Sequence, residues 1–240
     1  MQPSLGHTDR QIVGGIHDHQ DETGDCYAFC LALCEYMQEH MSVEILYNTH
    51  IEEIVQEGGK VSAIKTGHGN YVADSYVLSL SAFSSKFVKT RDAKLPIYPM
   101  KGYSLTVPIT EFAPTGSVTD DRYKIVYTRL GDKLRVAGTA ELNGYETDVT
   151  ASRISPILKQ AKRLFPKIDW EADRAEWACI RPSTPDGPPR IGKTKLTNLY
   201  LNTGHGTLGW TQAAGSAYIL ADIMDNKQPE VSSNGPMILS

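Results

Sequence analysis

The chain has 240 residues, 40% of them apolar and 22% charged, with a net charge of −4; this balance is ordinary for one large or two small globular domains. There is no basic stripe or Lys/Arg block to leave a nucleic-acid footprint, and no apolar run reaches the roughly 18 residues that a membrane-spanning helix needs. The first residues lack the charged-then-apolar plan of a secretory leader, so a soluble, cytoplasmic protein is the default expectation.

Residues 10–19, RQIVGGIHDH, read as a strand interrupted at Gly14 and Gly15. Acidic residues follow, with Thr23 or Asp25 as a helix cap, and apolar positions keep helical spacing to about Met37. Cys26, Cys30 and Cys34 recur every four residues, which lines them along one helix face as small hydrophobes. Adjacent turns give poor disulfide geometry, and three thiols without a histidine set make no metal site. His17 and His19 flank Asp18 with no third ligand in view, so they read as a surface pair.

Residues 43–81 look like short strands turned at EGGK and GHGN, closing on a buried strand at Ser75 to Leu80. The middle of the chain is β-rich: MKGYSLTVPI, then KIVYTRLGDKLRVAGTAEL, with LGDK as a hairpin turn. A helix is predicted over Thr150 to Leu164, with Arg153, Lys159, Lys162 and Arg163 on its wetter face and Pro166 as its stop. The segment ADRAEWACIRPSTPDGPPRIG then runs from a strand into a proline-rich loop. NLYLNTG is the last strand, and the polar tail beyond Gln228 is expected to fray. Mixed α/β material thus flanks a β-rich insert, a discontinuous two-domain layout.

Two segments offer chemistry. In YLNTGHGTLGWTQAAGS a strand leads into a loop with Gly204, Gly206 and Gly209, and then into a helix beginning near Thr211. Backbone N–H groups and the positive end of a helix dipole meet there, which suits a flat or anionic guest. The spacing matches G-x-G-x-x-G on glycines alone, but too little chain follows for the next strand and its acidic residue. A loop that merely permits tight strand–helix packing has equal standing. In CIRPSTPDGPPRIG, Arg181 follows a strand and precedes four prolines, so stiff neighbours hold it where it can clamp a carboxylate. A structural pairing of Arg181 with Asp186 stands beside that reading. No nucleophile elbow or Ser/His/Asp set can be assembled, and no metal ligand set is present.

Taken in order, VGGIHDHQDETGDCYAF, PMKGYSLTVPI, RVAGTAEL, RPSTPDGPPRIG and NLYLNTGHGTLGWTQAAGS resemble the D-amino acid dehydrogenase family, within the D-amino acid oxidase and glycine oxidase superfamily of flavoproteins. The match runs from about Gln11 to Glu230. The resemblance implies FAD as cofactor and a partial Rossmann-like FAD-binding domain (25–85 and 181–240). An inserted antiparallel substrate domain (1–24 and 86–180) completes the layout. It also implies that Arg181 binds the substrate carboxylate, with Tyr98 and Tyr103 near the substrate. Gly204, His205, Gly206, Thr207, Leu208, Gly209, Trp210 and Thr211 would run along the flavin, and Ile51 would meet its adenine end.

The implied reaction is oxidative deamination of a D-amino acid, with glycine, hydroxyproline or a secondary amine as alternative substrates. A quinone-type electron acceptor follows by resemblance, and with it a peripheral position on the inner face of a bacterial membrane. The family opens with a strand, a G-x-G-x-x-G turn and a helix that hold the FAD pyrophosphate, and no such unit precedes Gln11 here. The expectation is therefore weak or no FAD binding by these residues alone. They would be a half completed by another polypeptide, or a non-catalytic fragment or interaction module. Relatives also carry glycine near Ser81, in VLSLSAFSS, where backbone passes close to the cofactor.

Overall fold

The computed structural model describes residues 2–88 and 95–231. The expected tail beyond Gln228 lies outside them from residue 232 onward. In chain order the elements are α1 (Cys26–His40), β1 (Ile51–Glu57), β2 (Lys60–Thr66), β3 (Gly69–Tyr71), β4 (Tyr76–Leu78), a one-turn α2 (Ser84–Phe87) and β5 (Tyr98–Pro108). Then come β6 (Val118–Asp120), β7 (Ile125–Leu130), β8 (Lys133–Leu142), α3 (Ala151–Leu164), β9 (Ala175–Ser183), β10 (Arg190–Lys193), β11 (Leu199–Thr203) and α4 (Gly209–Met224). The chain divides into two compact units, Met1–Met37 with Lys101–Ile180 and Gln38–Met100 with Arg181–Ser240.

The first unit is built on a five-stranded sheet, β6-β7-β8-β5-β9. The β7–β8 hairpin turns at Leu130 and Lys133, with Gly131 at φ 59° supplying the left-handed residue. Alternation sends Tyr103, Leu105, Val107, Tyr127, Leu134 and Val136 to one side of this sheet, where α3 covers them with Ile154, Ile157, Ala161 and Leu164. Arg153, Lys159, Lys162 and Arg163 stay on the wet face of α3, as its period predicts. The amino-terminal segment is fastened to this unit by an ion pair between Arg10 and the buried Asp120.

In the second unit the hairpin β1–β2–β3 turns at the EGGK and GHGN sites. A second sheet has the order β10-β11-β4, with β11 parallel to β4 and antiparallel to β10. Asn198 ties the two together: its side chain accepts from the Val61 N–H at 2.8 Å and donates to the Val61 carbonyl at 3.0 Å. Ile191, Tyr200 and Leu220 form the packing between this second sheet and α4.

Two expectations fail at the amino-terminal end. Residues 10–19 form no strand: among the described residues no strand pairs with them, and Ile12, Val13 and Ile16 stand in solvent. Asp25 does cap α1, accepting from the N–H groups of Tyr27 at 2.9 Å and Ala28 at 3.1 Å. The cysteine face is not core, however. Cys26 and Cys30 are exposed, Cys34 is half-buried, and α1 buries none of its residues. His17 and His19 are an exposed pair with rings 4.3 Å apart, and no group of metal-ligating side chains occurs among the described residues.

Candidate flavin and carboxylate site

The glycine loop begins where β11 ends. Leu199, Tyr200 and Leu201 are all buried, as suits a strand lying between β10 and β4. The next turn requires glycine. Gly204 has φ 87°, and a Cβ there would meet Thr184 Cγ2 at 2.9 Å, Arg190 N at 3.5 Å and Ile97 Cδ1 at 3.6 Å. Gly206 takes φ 55° with open space around it. Gly209 needs no such licence from its neighbours, since a Cβ would make only ordinary contact with His205 at 3.6 Å.

This loop is stitched to the end of β9. Ser183 and His205 form an antiparallel bridge, and the Gly206 N–H donates to the Pro182 carbonyl at 2.9 Å. Arg181 therefore lies two residues from a strand end that is hydrogen-bonded to the glycine loop, although the two are far apart in sequence. The proline-rich loop beyond it is held from within. Arg190, buried, pairs with Asp186 at 2.7 Å and donates to the Pro188 carbonyl at 3.1 Å, while Thr184 Oγ1 donates to the same carbonyl at 3.0 Å. Asp186, the alternative partner for Arg181, is thus engaged by Arg190, which holds its carboxyl below the usual range.

His205 is half-buried, and burial pushes its imidazole below the ordinary histidine value, so the neutral ring is favoured. Its Nε2 shares a hydrogen bond of 2.9 Å with Ser216 Oγ, which is buried on α4. Nothing in the sequence marked Ser216, because the contact joins a loop to a helix two turns on. No side chain caps the start of α4, and Thr207, Leu208, Trp210 and Thr211 are exposed there. Asn202 Oδ1 and Gln212 Oε1, on either side of the loop, are buried without a hydrogen-bond partner among the described residues. Gly206 leaves open space beside the backbone, which admits the close approach of a flat ligand.

The remaining expected residues lie on β1 and β5. Tyr98 opens β5 at 44% exposure, directly after Ile97, whose side chain lines the Gly204 cradle. Ile51 is half-buried at the start of β1, paired with Thr66. Tyr103 belongs to the other unit and is buried. Its hydroxyl donates to Glu141, and Thr150 Oγ1 lies 3.3 Å away. That hydroxyl, together with Arg153, holds the Glu141 carboxyl below its usual range.

The sequence profile of the FAD dependent oxidoreductase family, DAO, matches residues 1–223. The chain belongs to this family. It is 44% identical over 233 residues to the D-amino acid dehydrogenase of Bradyrhizobium diazoefficiens, covering 96% of this chain and 55% of that protein. The Vibrio cholerae D-amino acid dehydrogenase is likewise 44% identical, over 98% of this chain and 56% of its own length. The chain thus spans about half the length of the curated relatives it matches. Among solved structures, glycine oxidase from Geobacillus kaustophilus superposes with a TM-score of 0.74 at 22% identity, covering 87% of this chain and 56% of that one. The L-proline dehydrogenase of P. horikoshii gives 0.72 at 20% identity, covering 88% and 57%. These two show a shared DAO-type fold. No helix among the described residues is long and apolar enough to cross a membrane.

Proposed function

We propose that this chain carries the carboxylate clamp and the flavin-facing loop of an FAD-dependent D-amino acid dehydrogenase. The observation that supports it most is the Gly206 to Pro182 hydrogen bond beside the Ser183–His205 bridge, which couples the Arg181 strand to the glycine loop. In this reading Arg181 takes the substrate α-carboxylate in a bidentate pair and so fixes the orientation of Cα–H. The Gly204 to Thr211 loop and the uncapped start of α4 face the cofactor, with Ile51 toward its adenine end and Tyr98 toward the substrate. Residues 25–85 and 181–240 are then the cofactor-binding portion, and residues 1–24 and 86–180 the substrate-facing portion. Tyr103, buried, acts through Glu141 and the α3 cap rather than by touching the substrate.

Bound FAD supplies the acceptor for the two electrons leaving the substrate. The protein's share is alignment and electrostatics: the amine reacts in its neutral form, and the imino acid hydrolyses in water to a 2-oxo acid and ammonia. A quinone-type acceptor, and a peripheral membrane position, are proposed from the resemblance alone.

A second reading is favoured by α1. A helix that is apolar on opposite faces and buries nothing calls for cover on both sides. In this reading the chain works only when a complementing polypeptide covers α1. A visible absorbance scan after incubation with FAD and desalting separates the two. Retained flavin bands, bleached anaerobically by D-alanine in the wild type but not in Arg181→Gln, support a self-sufficient site. A colourless protein favours the complemented reading. Bleaching by glycine or a secondary amine but not by D-alanine replaces the substrate, and equal bleaching of Arg181→Gln removes the clamp.

A further inference from the structure

α4 buries two of its residues, Leu220 and Ser216. Leu220 packs with Ile191 and Tyr200, as an apolar side chain should. Ser216 is the polar exception, at 4% exposure. A buried hydroxyl has one proton to place, and leaving it unplaced costs more than a satisfied bond contributes. The usual acceptor for a serine within a helix is the carbonyl four residues back. Here the side-chain partner among the described residues is His205 Nε2, at 2.9 Å.

That single contact decides where the ring carries its proton. Each nitrogen of a neutral imidazole either holds a proton or accepts one. With Ser216 donating, Nε2 is the acceptor and the proton belongs on Nδ1. The reverse assignment, Nε2–H donating to Oγ, would leave the hydroxyl proton buried with no acceptor among the described residues. Burial also opposes a second proton on the ring. Nδ1 has no partner among the described residues, yet it is not one of the buried polar atoms left without one, so it keeps an opening to its surroundings.

The backbone around the ring is held as well. His205 bridges Ser183, and its carbonyl accepts from the Leu208 N–H at 3.0 Å. All of these residues belong to one compact unit, so a strand end, a loop and a helix together fix the imidazole.

We infer that Ser216 is a positioning residue that holds His205 as its Nδ1–H tautomer, so that the ring meets the cofactor as a hydrogen-bond donor to a carbonyl oxygen. This rests on the reading of the Gly204 to Thr211 loop as cofactor-facing. The pyrimidine side of a flavin is edged by carbonyl oxygens, and a fixed donor beside them favours the negative charge that reduction brings. An unprotonated Nδ1 in the same place would repel those oxygens.

The test reads the ring nitrogens of the isotopically labelled 240-residue chain by NMR at about pH 8, where histidines are uncharged. His205→Gln identifies the His205 signals by their loss. The wild type should show a proton on Nδ1 and a bare Nε2. Ser216→Ala should pass most of the population to Nε2–H, and Ser216→Thr, which keeps the hydroxyl, should restore the wild-type pattern. A proton on Nε2 in the wild type, or a pattern that Ser216→Ala leaves unmoved, overturns the assignment; the wild-type spectrum alone decides it if a variant fails to fold. On titration with FAD, the Nδ1 signal and the Gly206 amide should both move, and Ser216→Ala should weaken binding about two- to tenfold, the effect of one hydrogen bond. A Gly206 amide that moves while Nδ1 stays fixed overturns the donor role and leaves the reading of the loop standing. Signals that both stay fixed overturn that reading and the donor role with it.

Discussion

Two helices of nearly equal length behave in opposite ways. α3, with 14 residues, is the more polar, yet it buries Ile154, Ile157, Ala161 and Leu164. α1, with 15 residues, is the more apolar and buries none. The difference lies in arrangement rather than hydrophobicity. On α3 the apolar residues fall on one stripe, so one sheet satisfies them. On α1, Tyr27 and Leu31 lie roughly opposite Phe29, Leu33 and Tyr36, so a single neighbour covers at most half. Burial is therefore a property of pattern plus partner, and α1 lacks the single stripe that one partner could cover.

The sharpest way to break this comparison is to cut the same mass from each helix. Ile157→Ala, at 0% exposure, should lower unfolding stability by about 2–5 kcal/mol, whereas Leu31→Ala, at 50% exposure, should change it by less than about 0.5. Denaturant melts of the two variants decide it, and equal losses would mean that α1 is covered in solution. The glycine loop extends the contrast to a tight site with little apolar surface. Gly204→Ala places a Cβ against Thr184 Cγ2 at 2.9 Å in a left-handed conformation, for about 1–3 kcal/mol. Adding Thr184→Ser removes that methyl and should return the steric part of the loss while leaving the backbone part. A variant as stable as the wild type would show that the loop is not closed at all.

The same contrast explains what could be seen in advance. α3 and the β7–β8 hairpin were legible because period and turn residues are local properties. Gly204 was legible through the glycine punctuation around it, and its turn does take the left-handed conformation. The strand expected at 10–19 failed because Ile12, Val13 and Ile16 have strand-forming character but, among the described residues, no neighbouring edge to supply hydrogen bonds. The cysteine face of α1 has the expected helical period, but none of the described residues buries it. Ser216, Asn202 and Gln212 left no mark in the sequence, since their roles come from the approach of a loop, a strand and a helix in space. Asp186 was visible as a partner for an arginine, and only the fold shows that Arg190 takes it.

Ser81 sharpens the comparison at a position where neither helix is involved. Its φ of 54° is left-handed, the conformation glycine adopts most easily. Its carbonyl accepts from Thr203 Oγ1 at 2.9 Å, and Ser84 Oγ lies 3.2 Å from the same hydroxyl, so the surroundings hold the residue in place. Ser81→Gly should therefore raise stability by about 0.5–1 kcal/mol, the left-handed strain relieved less the chain entropy of glycine. A loss on thermal melting would mean that the Ser81 side chain makes a contribution larger than its strain.

The smallest expected effect is a dependence on pH, and it reads the glycine loop directly. Burial lowers the His205 pKa in the folded chain below its unfolded value of about 6.5. The unfolded state then binds more protons than the folded one just below that pH. Stability from this residue is therefore complete above about pH 6.5 and declines as pH falls below it, toward the lower folded value. His205→Gln keeps a polar group within reach of Ser216 but removes the titration, so melts between about pH 7.5 and 5.5 should show a shallower decline in the variant. An unchanged slope would mean that the imidazole is as hydrated in the folded chain as in the unfolded one. The loop would then be open to water in the way α1 is, and the contrast between a closed site and a bare helix would fail where the proposed cofactor contact needs it most.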